Sequence, residues 1–125
     1  MSTIKKVWFK ISSSADSDSR VVEIYLDTFE KFSAKLMEFV VNLSDTSGNT
    51  AMHYAIACSN FDIVSVLLDS KCCDVNKYNK AGYTATMLAA LAQIDGEVHR
   101  DVVDRLFHQA DVNMRAKQVG VVSRS

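Results

Sequence analysis

The 125-residue chain has no proline, only three cysteines and only four glycines. Its charges nearly balance, with a formal net charge of -1 at pH 7, so no basic field is available to hold a nucleic acid or an anionic membrane surface. Its apolar runs are far shorter than the roughly 18 residues that cross a bilayer, and its N-terminus lacks the apolar region of a secretory signal. We therefore expect one domain that neither inserts into a membrane nor binds nucleic acid.

The cysteines indicate a reducing compartment. Cys58, Cys72 and Cys73 are odd in number and include an adjacent pair, which is a poor framework for disulfides. Adjacent cysteines also lack the spacing of zinc ligands, and His99 and His108 stand nine residues apart without a paired motif. We expect a protein of the cytosol or the nucleus, with no metal and no cofactor.

A repeat dominates the middle of the chain. The octet Gly48–Ala55 returns as Gly82–Ala89, so the period is 34 residues (82 minus 48). A period in the low thirties is typical of stacked helical repeats. Thr50 and Thr84 are the predicted N-caps of the first helix in each copy.

Each copy continues into a second helix, predicted at residues 61–70 and 101–109. The second helices are 39 residues apart (102 minus 63, from Ile63 to Val102) rather than 34, which indicates an insertion of five residues around positions 95–99. A loop between two helices can lengthen at little cost.

The N-terminal part divides into two predicted segments. Residues 1–19 include a polar, serine-rich run and are predicted to be a flexible segment. Two interpretations of Trp8 and Phe9 remain open: they dock on the following helices, or they belong to a frayed terminus. Residues 20–44 are predicted to form a helical cap that covers the first repeat.

The cap should contain two helices. Ser19, or alternatively Asp18, is the predicted N-cap of the first, and Ser33 is that of the second. The second helix, residues 34–43, has too many apolar positions for a surface helix, so we expect it to be covered on more than one side.

The C-terminal part starts a third repeat without completing it. Residues 111–113 repeat the Asp-Val-Asn of residues 74–76, but residues 119–125 are predicted to be an irregular tail. The repeats would therefore span residues 45–118. Their last helix lacks a following neighbour, so we expect partial exposure of Val103, Leu106 and Phe107. The predicted fold is all-α: a solenoid of two full repeats and the start of a third, with an N-terminal helical cap.

The repeat resembles the ankyrin repeat. The first copy matches its Gly-x-Thr-Pro-Leu-His-x-Ala core at Gly48, Thr50, His53 and Ala55, and residues 63–68 match its second helix. Both copies have alanine, at Ala51 and Ala85, where the repeat usually has proline. Proline is pre-organised at a first helical position but is not required there.

A narrower resemblance is to the ankyrin domain of the KANK family, the KN-motif and ankyrin-repeat proteins. The segments that carry it are residues 48–54, 59–64, 79–84 and 87–91. The resemblance implies a non-enzymatic cytoplasmic scaffold that restrains actin polymerisation and docks a segment of a kinesin-4 motor. The chain has no KN motif, no heptad segment and fewer complete repeats than that family, so it resembles a truncated form.

Residues with possible chemistry are best explained by structure or by partner binding. His53 is expected to hydrogen-bond a neighbouring turn, and no nucleophile has a base at usable spacing, so we expect no enzyme and no small-molecule substrate. The predicted partner-binding residues lie on and beside one loop tip: Lys77, Tyr78, Asn79, Lys80 and Tyr83. The alternative is that Tyr78 is solvated and that Tyr83 packs on the next loop.

A second hypothesis is that the chain is a truncated isoform or partial gene product without independent binding activity. It rests on residues 119–125, which abandon the repeat, and on the expectation that about three stacked repeats are needed for stability.

Overall fold

Most of the helices begin at a side chain that accepts one of their free amide groups. The computed structural model describes residues 2–92 and 100–112. In it Ser33, Thr50 and Thr84 each accept a hydrogen bond from the amide three residues ahead, which confirms all three predicted caps. Asp18, rather than Ser19, caps the second helix by accepting from the amide of Arg20 at 2.9 Å.

Helices account for nearly all regular structure in the described part of the chain. They are α1 (Ser2–Ser12), α2 (Ser19–Phe32), α3 (Ala34–Val41), α4 (Ala51–Ala57), α5 (Phe61–Asp69), α6 (Ala85–Leu91) and α7 (residues 100–112). A single antiparallel bridge between Ser44 and Thr50 is the only β pairing among these residues. The predicted all-α class is confirmed.

Six of the helices form two layers. Helices α1, α4 and α6 form one layer, in which α4 contacts both of the others. Helices α2, α5 and α7 form the other layer: α2 contacts α5, and Arg105 of α7 donates to Ser65 Oγ of α5 at 2.9 Å. The turns stack as well, because Asn60 Nδ2 donates to the carbonyl oxygens of Ser14 and Ser17 at 3.2 and 3.0 Å. This layered order confirms the predicted solenoid.

Helix α1 differs from the prediction. The sequence predicts a flexible segment at residues 1–19, whereas residues 2–12 are helical and packed. Trp8 is fully buried and stacks on Tyr25, with the ring centroids 6.1 Å apart and 18° between the ring planes. Burial of this large aromatic surface stabilises the docked helix. Of the two interpretations left open for Trp8, docking is the one observed.

Helix α3 ends beside the loop that follows α5. Asn42, at its C-terminus, donates to the carbonyl of Cys72 at 2.9 Å and accepts from the amide of Asp74 at 2.7 Å. Met37, Val40 and Val41 are buried, as expected of a covered helix. Phe39 is 46% exposed, so the coverage is less complete than the apolar content suggested.

Helix α7 is better packed than the sequence indicated. Val103 and Leu106 are buried, which corrects the expectation that they stay partly exposed; Phe107 is 42% exposed. Helix α7 packs these two side chains into the same apolar core as α5, so a following repeat is not needed to cover them. Asp111 and Val112 continue the helix. The predicted insertion at 95–99 and the predicted tail at 119–125 lie outside the described residues.

Candidate functional site

The predicted partner-binding residues lie in the loop between α5 and α6. Asn79 shapes the tip of this loop: its amide donates to the carbonyl of Tyr83 at 2.9 Å, and its side-chain oxygen accepts from the Tyr83 amide at 2.9 Å. The Gly82 amide closes the turn on the Asn79 carbonyl at 3.0 Å. Gly82 has a φ of +87°, a conformation that suits glycine.

The loop rests on its counterpart from the preceding repeat. The Lys80 amide donates to the carbonyl of Ser47 at 3.0 Å, and Asn79 Nδ2 donates to Asn49 Oδ1 at 2.8 Å. Gly48 lies directly beneath, and a Cβ on it would come within 2.9 Å of the Lys80 nitrogen. The absent side chain at Gly48 therefore allows the two loops to approach closely.

His53 fixes the far end of the loop. Its Nε2 lies 2.9 Å from the carbonyl oxygen of Tyr83, and its Nδ1 lies 3.1 Å from the Thr50 amide nitrogen. A carbonyl oxygen only accepts and an amide only donates, so Nε2 carries the proton and Nδ1 is the acceptor. The side chain is 2% exposed, and both nitrogens are occupied. This confirms the predicted structural histidine bound to a neighbouring turn.

The five predicted residues divide into two groups. Lys77 and Asn79 are used internally: Lys77 Nζ donates to the Asn42 carbonyl at 2.8 Å, and Asn79 makes the contacts above. Tyr78, Lys80 and Tyr83 are exposed, the tyrosines by 62% and 42%. The structure thus places all five residues on one loop, but only three present their side chains to solvent. That they bind a partner stays a prediction.

Sequence reasoning missed the residues that support the loop from the preceding repeat. Asp45 occupies the turn position that Asn79 occupies one repeat later, and it accepts from the amides of Ser47 and Asn49 at 3.0 Å each. The signal was present, since both turns place Asp or Asn three residues before glycine. Asp45 and Asn79 therefore have the same role in successive repeats: the side-chain oxygen of each accepts a hydrogen bond from the amide four residues ahead.

Burial lowers the reactivity of the two cysteines beside the loop, Cys72 and Cys73. Burial raises the pKa of Cys73 to about 12, and burial also raises the pKa of Cys72. A thiol of high pKa is a poor nucleophile and a poor metal ligand at neutral pH. Among the described residues no group of three or more His, Cys, Asp or Glu side chains is arranged to hold a metal ion. None of the described helices is long and apolar enough to cross a membrane.

The repeat geometry agrees with a comparison against known families. The family model described as ankyrin repeats (3 copies) matches residues 14–116. The match covers most of the chain and includes α2 and α3, which the sequence predicts to be a cap rather than part of a repeat. The chain therefore belongs to the ankyrin-repeat family.

Proposed function

We propose that this protein is an interaction module that binds a protein partner through the exposed side chains of Tyr78, Lys80 and Tyr83. Ankyrin repeats generally mediate protein–protein interactions and are typically non-catalytic. The supporting observation is that the side chains of this loop divide into two groups. Asn79 and Lys77 hold the backbone, while two tyrosines and one lysine project from it. Side chains on a fixed backbone lose little entropy on binding, and tyrosine is enriched in interfaces.

The partner we propose is a segment of a kinesin-4 motor, bound in the cytoplasm by a scaffold that regulates actin polymerisation. The support for this partner is the sequence resemblance of residues 48–54 and 79–84 to the KANK ankyrin domain. Loop 77–83 contains part of the sequence that resembles the KANK domain, and it carries the exposed side chains of Tyr78, Lys80 and Tyr83. We therefore test the partner on this surface.

The test is a binding titration of the full chain with a labelled kinesin-4 segment, followed by fluorescence anisotropy. Tyr78→Ala combined with Tyr83→Ala should weaken binding by at least about tenfold, which corresponds to about 1.4 kcal/mol. Lys80→Glu should weaken binding to a smaller extent, because a charge at the rim of an interface contributes less than an aromatic side chain that becomes buried in the complex.

The matched control is Phe32→Ala, which removes an aromatic side chain that is 80% exposed and lies outside the loop. It should leave affinity unchanged. Equal weakening by the loop and control variants would exclude the loop as the site. Failure of the kinesin-4 segment to bind the folded wild-type chain would exclude that partner.

A further inference from the structure

Helix α1 carries charge of one sign only. It contains three lysines and no acidic residue, although the whole chain has a formal net charge of -1. Lys6 and Lys10 are exposed and four residues apart, so they share one helical face. The described residues supply no ion pair to either of them or to Lys5. The Lys5 charge acts on Asp45, whereas Lys6 and Lys10 present positive charge that the described residues leave unpaired.

These lysines line a groove of about 600 Å³ between α1 and α4, here called the α1–α4 groove. Phe9 of α1 and Tyr54 of α4 contribute an aromatic surface, meeting edge to face with ring centroids 6.1 Å apart. Binding sites for small ligands have volumes of roughly 300–1,000 Å³, so the space suffices for several side chains. The groove combines an aromatic wall with a cluster of ammonium groups.

Among the described residues, Asp45 is the one carboxylate that lines the groove, and it already has partners. Asp45 accepts hydrogen bonds from the Tyr54 hydroxyl and from the amides of Ser47 and Asn49. These bonds hold it to its own loop, and no ion pair links it to Lys6 or Lys10 in the described structure. The exposed lysines thus remain available to a carboxylate from another molecule.

We propose that the α1–α4 groove binds an acidic segment of a protein partner. Carboxylates of the segment lie near Lys6 and Lys10, and an apolar side chain lies against Phe9 and Tyr54. Charge complementarity selects this occupant: a nucleic acid needs a longer basic track, and anionic lipid is held by larger clusters of basic residues at a membrane surface. The proposal does not depend on loop 77–83, because no residue of that loop lines the groove.

The probe is a short fluorescein-labelled peptide in which Asp and Glu flank a central Leu-Phe pair. It is titrated against the full chain at low and at physiological salt, with anisotropy as the readout. Trp8 is the single tryptophan and precedes Phe9, so its emission gives a second, label-free signal. The acidic peptide should bind, and its affinity should fall as salt screens the charges.

The decisive variant combines Lys6→Glu with Lys10→Glu and should weaken binding by at least about tenfold. Both side chains are exposed, so the fold should survive, and a circular dichroism melt checks this. The matched control combines Lys31→Glu with Lys35→Glu, two exposed lysines outside the groove, and changes the net charge equally. The control should leave affinity unchanged.

Four changes of probe test the chemistry. Replacing the acids by Asn and Gln, or the Leu-Phe pair by Gly-Gly, should weaken binding. A single-stranded DNA, and separately vesicles that contain phosphatidylserine, should bind more weakly than the peptide. Their binding should not depend on Lys6 and Lys10. The proposal is overturned if the control charge reversal weakens binding equally, if the neutral peptide binds equally well, or if vesicles or DNA prove the tighter groove-dependent ligand.

Discussion

His53 Nε2 lies 2.9 Å from the carbonyl oxygen of Tyr83, thirty residues along the chain, and joins two successive repeats. The same imidazole accepts from the amide of Thr50, at the start of its own helix. One buried side chain therefore completes an N-cap and fastens the neighbouring loop. Met87, its counterpart in the second copy, is 42% exposed.

Replacing His53 should destabilise the protein strongly. His53→Ala leaves the buried Thr50 amide without a partner and removes one of the two hydrogen bonds to the Tyr83 carbonyl, so we expect the free energy of unfolding to fall by about 2–3 kcal/mol. Met87→Ala is the matched control and should lower it by about 1 kcal/mol or less, because its side chain is largely exposed. Urea unfolding followed by circular dichroism measures both. Equal losses would show that the imidazole bridge contributes little.

Gly48 and Gly82 should respond differently to the same substitution. Both have positive φ, 78° and 87°, so alanine is strained at either position. At Gly82 no heavy atom beyond the two neighbouring residues in the chain lies within 4 Å of the new Cβ, and we expect a loss of about 1 kcal/mol in unfolding free energy. At Gly48 the Cβ also meets the Lys80 backbone, which should bring the loss to about 2–4 kcal/mol. Urea unfolding measures both losses. Similar losses for the two variants would contradict the close approach of the loops.

The central repeats were predictable because their local signals agree with their packing. Thr50 and Thr84 cap helices, and the positive φ of Gly48 and Gly82 follows from their turn positions. Period, cap and turn residue all indicate the same fold, so the sequence alone sufficed. The position of all five candidate residues on one loop was predictable. The hydrogen bonds of Lys77 to Asn42 and of Asn79 to Asn49 were not, because these partners are distant in the sequence.

Helix α1 shows why the N-terminal part was harder. Ser12 stands at the start of a serine-rich run that reads as a linker, yet it is fully buried, with its hydroxyl donating to the Trp8 carbonyl at 2.7 Å. A polar residue can enter the core when its own helix satisfies it. Packing of Trp8 on Tyr25 supplies the apolar contact. Neither contact belongs to the 34-residue period, so the repeat signal could not reveal them.

Helix α7 should be an integral part of the folded unit. Leu106 is fully buried, so Leu106→Ala should lower the free energy of unfolding by about 2–5 kcal/mol. Phe107→Ala, at a side chain 42% exposed, should lower it by about 1 kcal/mol or less. Thermal and urea unfolding should each show a single cooperative transition. A broad transition, or equal losses for the two variants, would favour a loosely attached last helix.

The three thiols should differ in reactivity. Burial raises the pKa of Cys73 to about 12, so almost none of it is thiolate near neutral pH. We expect iodoacetamide to label partly exposed Cys58 first, Cys72 more slowly and Cys73 only after unfolding. Peptide mapping by mass spectrometry gives the order, with a sample in guanidinium chloride as the fully labelled control. Rapid labelling of Cys73 in the native protein would contradict its burial.

Asp45 should make stability depend on pH at the acid end. Burial alone would raise the pKa of this carboxyl. Hydrogen bonds from Tyr54 and from the amides of Asn49 and Ser47, with a smaller effect of the Lys5 charge, outweigh burial and hold the pKa below its usual 3.8. A carboxyl whose pKa is lower in the folded state stabilises it above the unfolded-state pKa. That contribution disappears as pH falls through the folded-state pKa.

Asp45→Asn isolates this contribution, because Asn79 shows that an amide can accept the same kind of turn hydrogen bond, at 2.9 Å from the Tyr83 amide. At neutral pH the variant should be less stable than wild type by about 1 kcal/mol or less, since the site is partly solvated. Below about pH 4 the difference should shrink towards zero, because the wild-type carboxyl becomes protonated. Asp16→Asn removes an exposed charge elsewhere and serves as the control. Urea unfolding at several pH values decides: a difference for Asp45→Asn that stays constant with pH would show that the charge of Asp45 does not stabilise the loop.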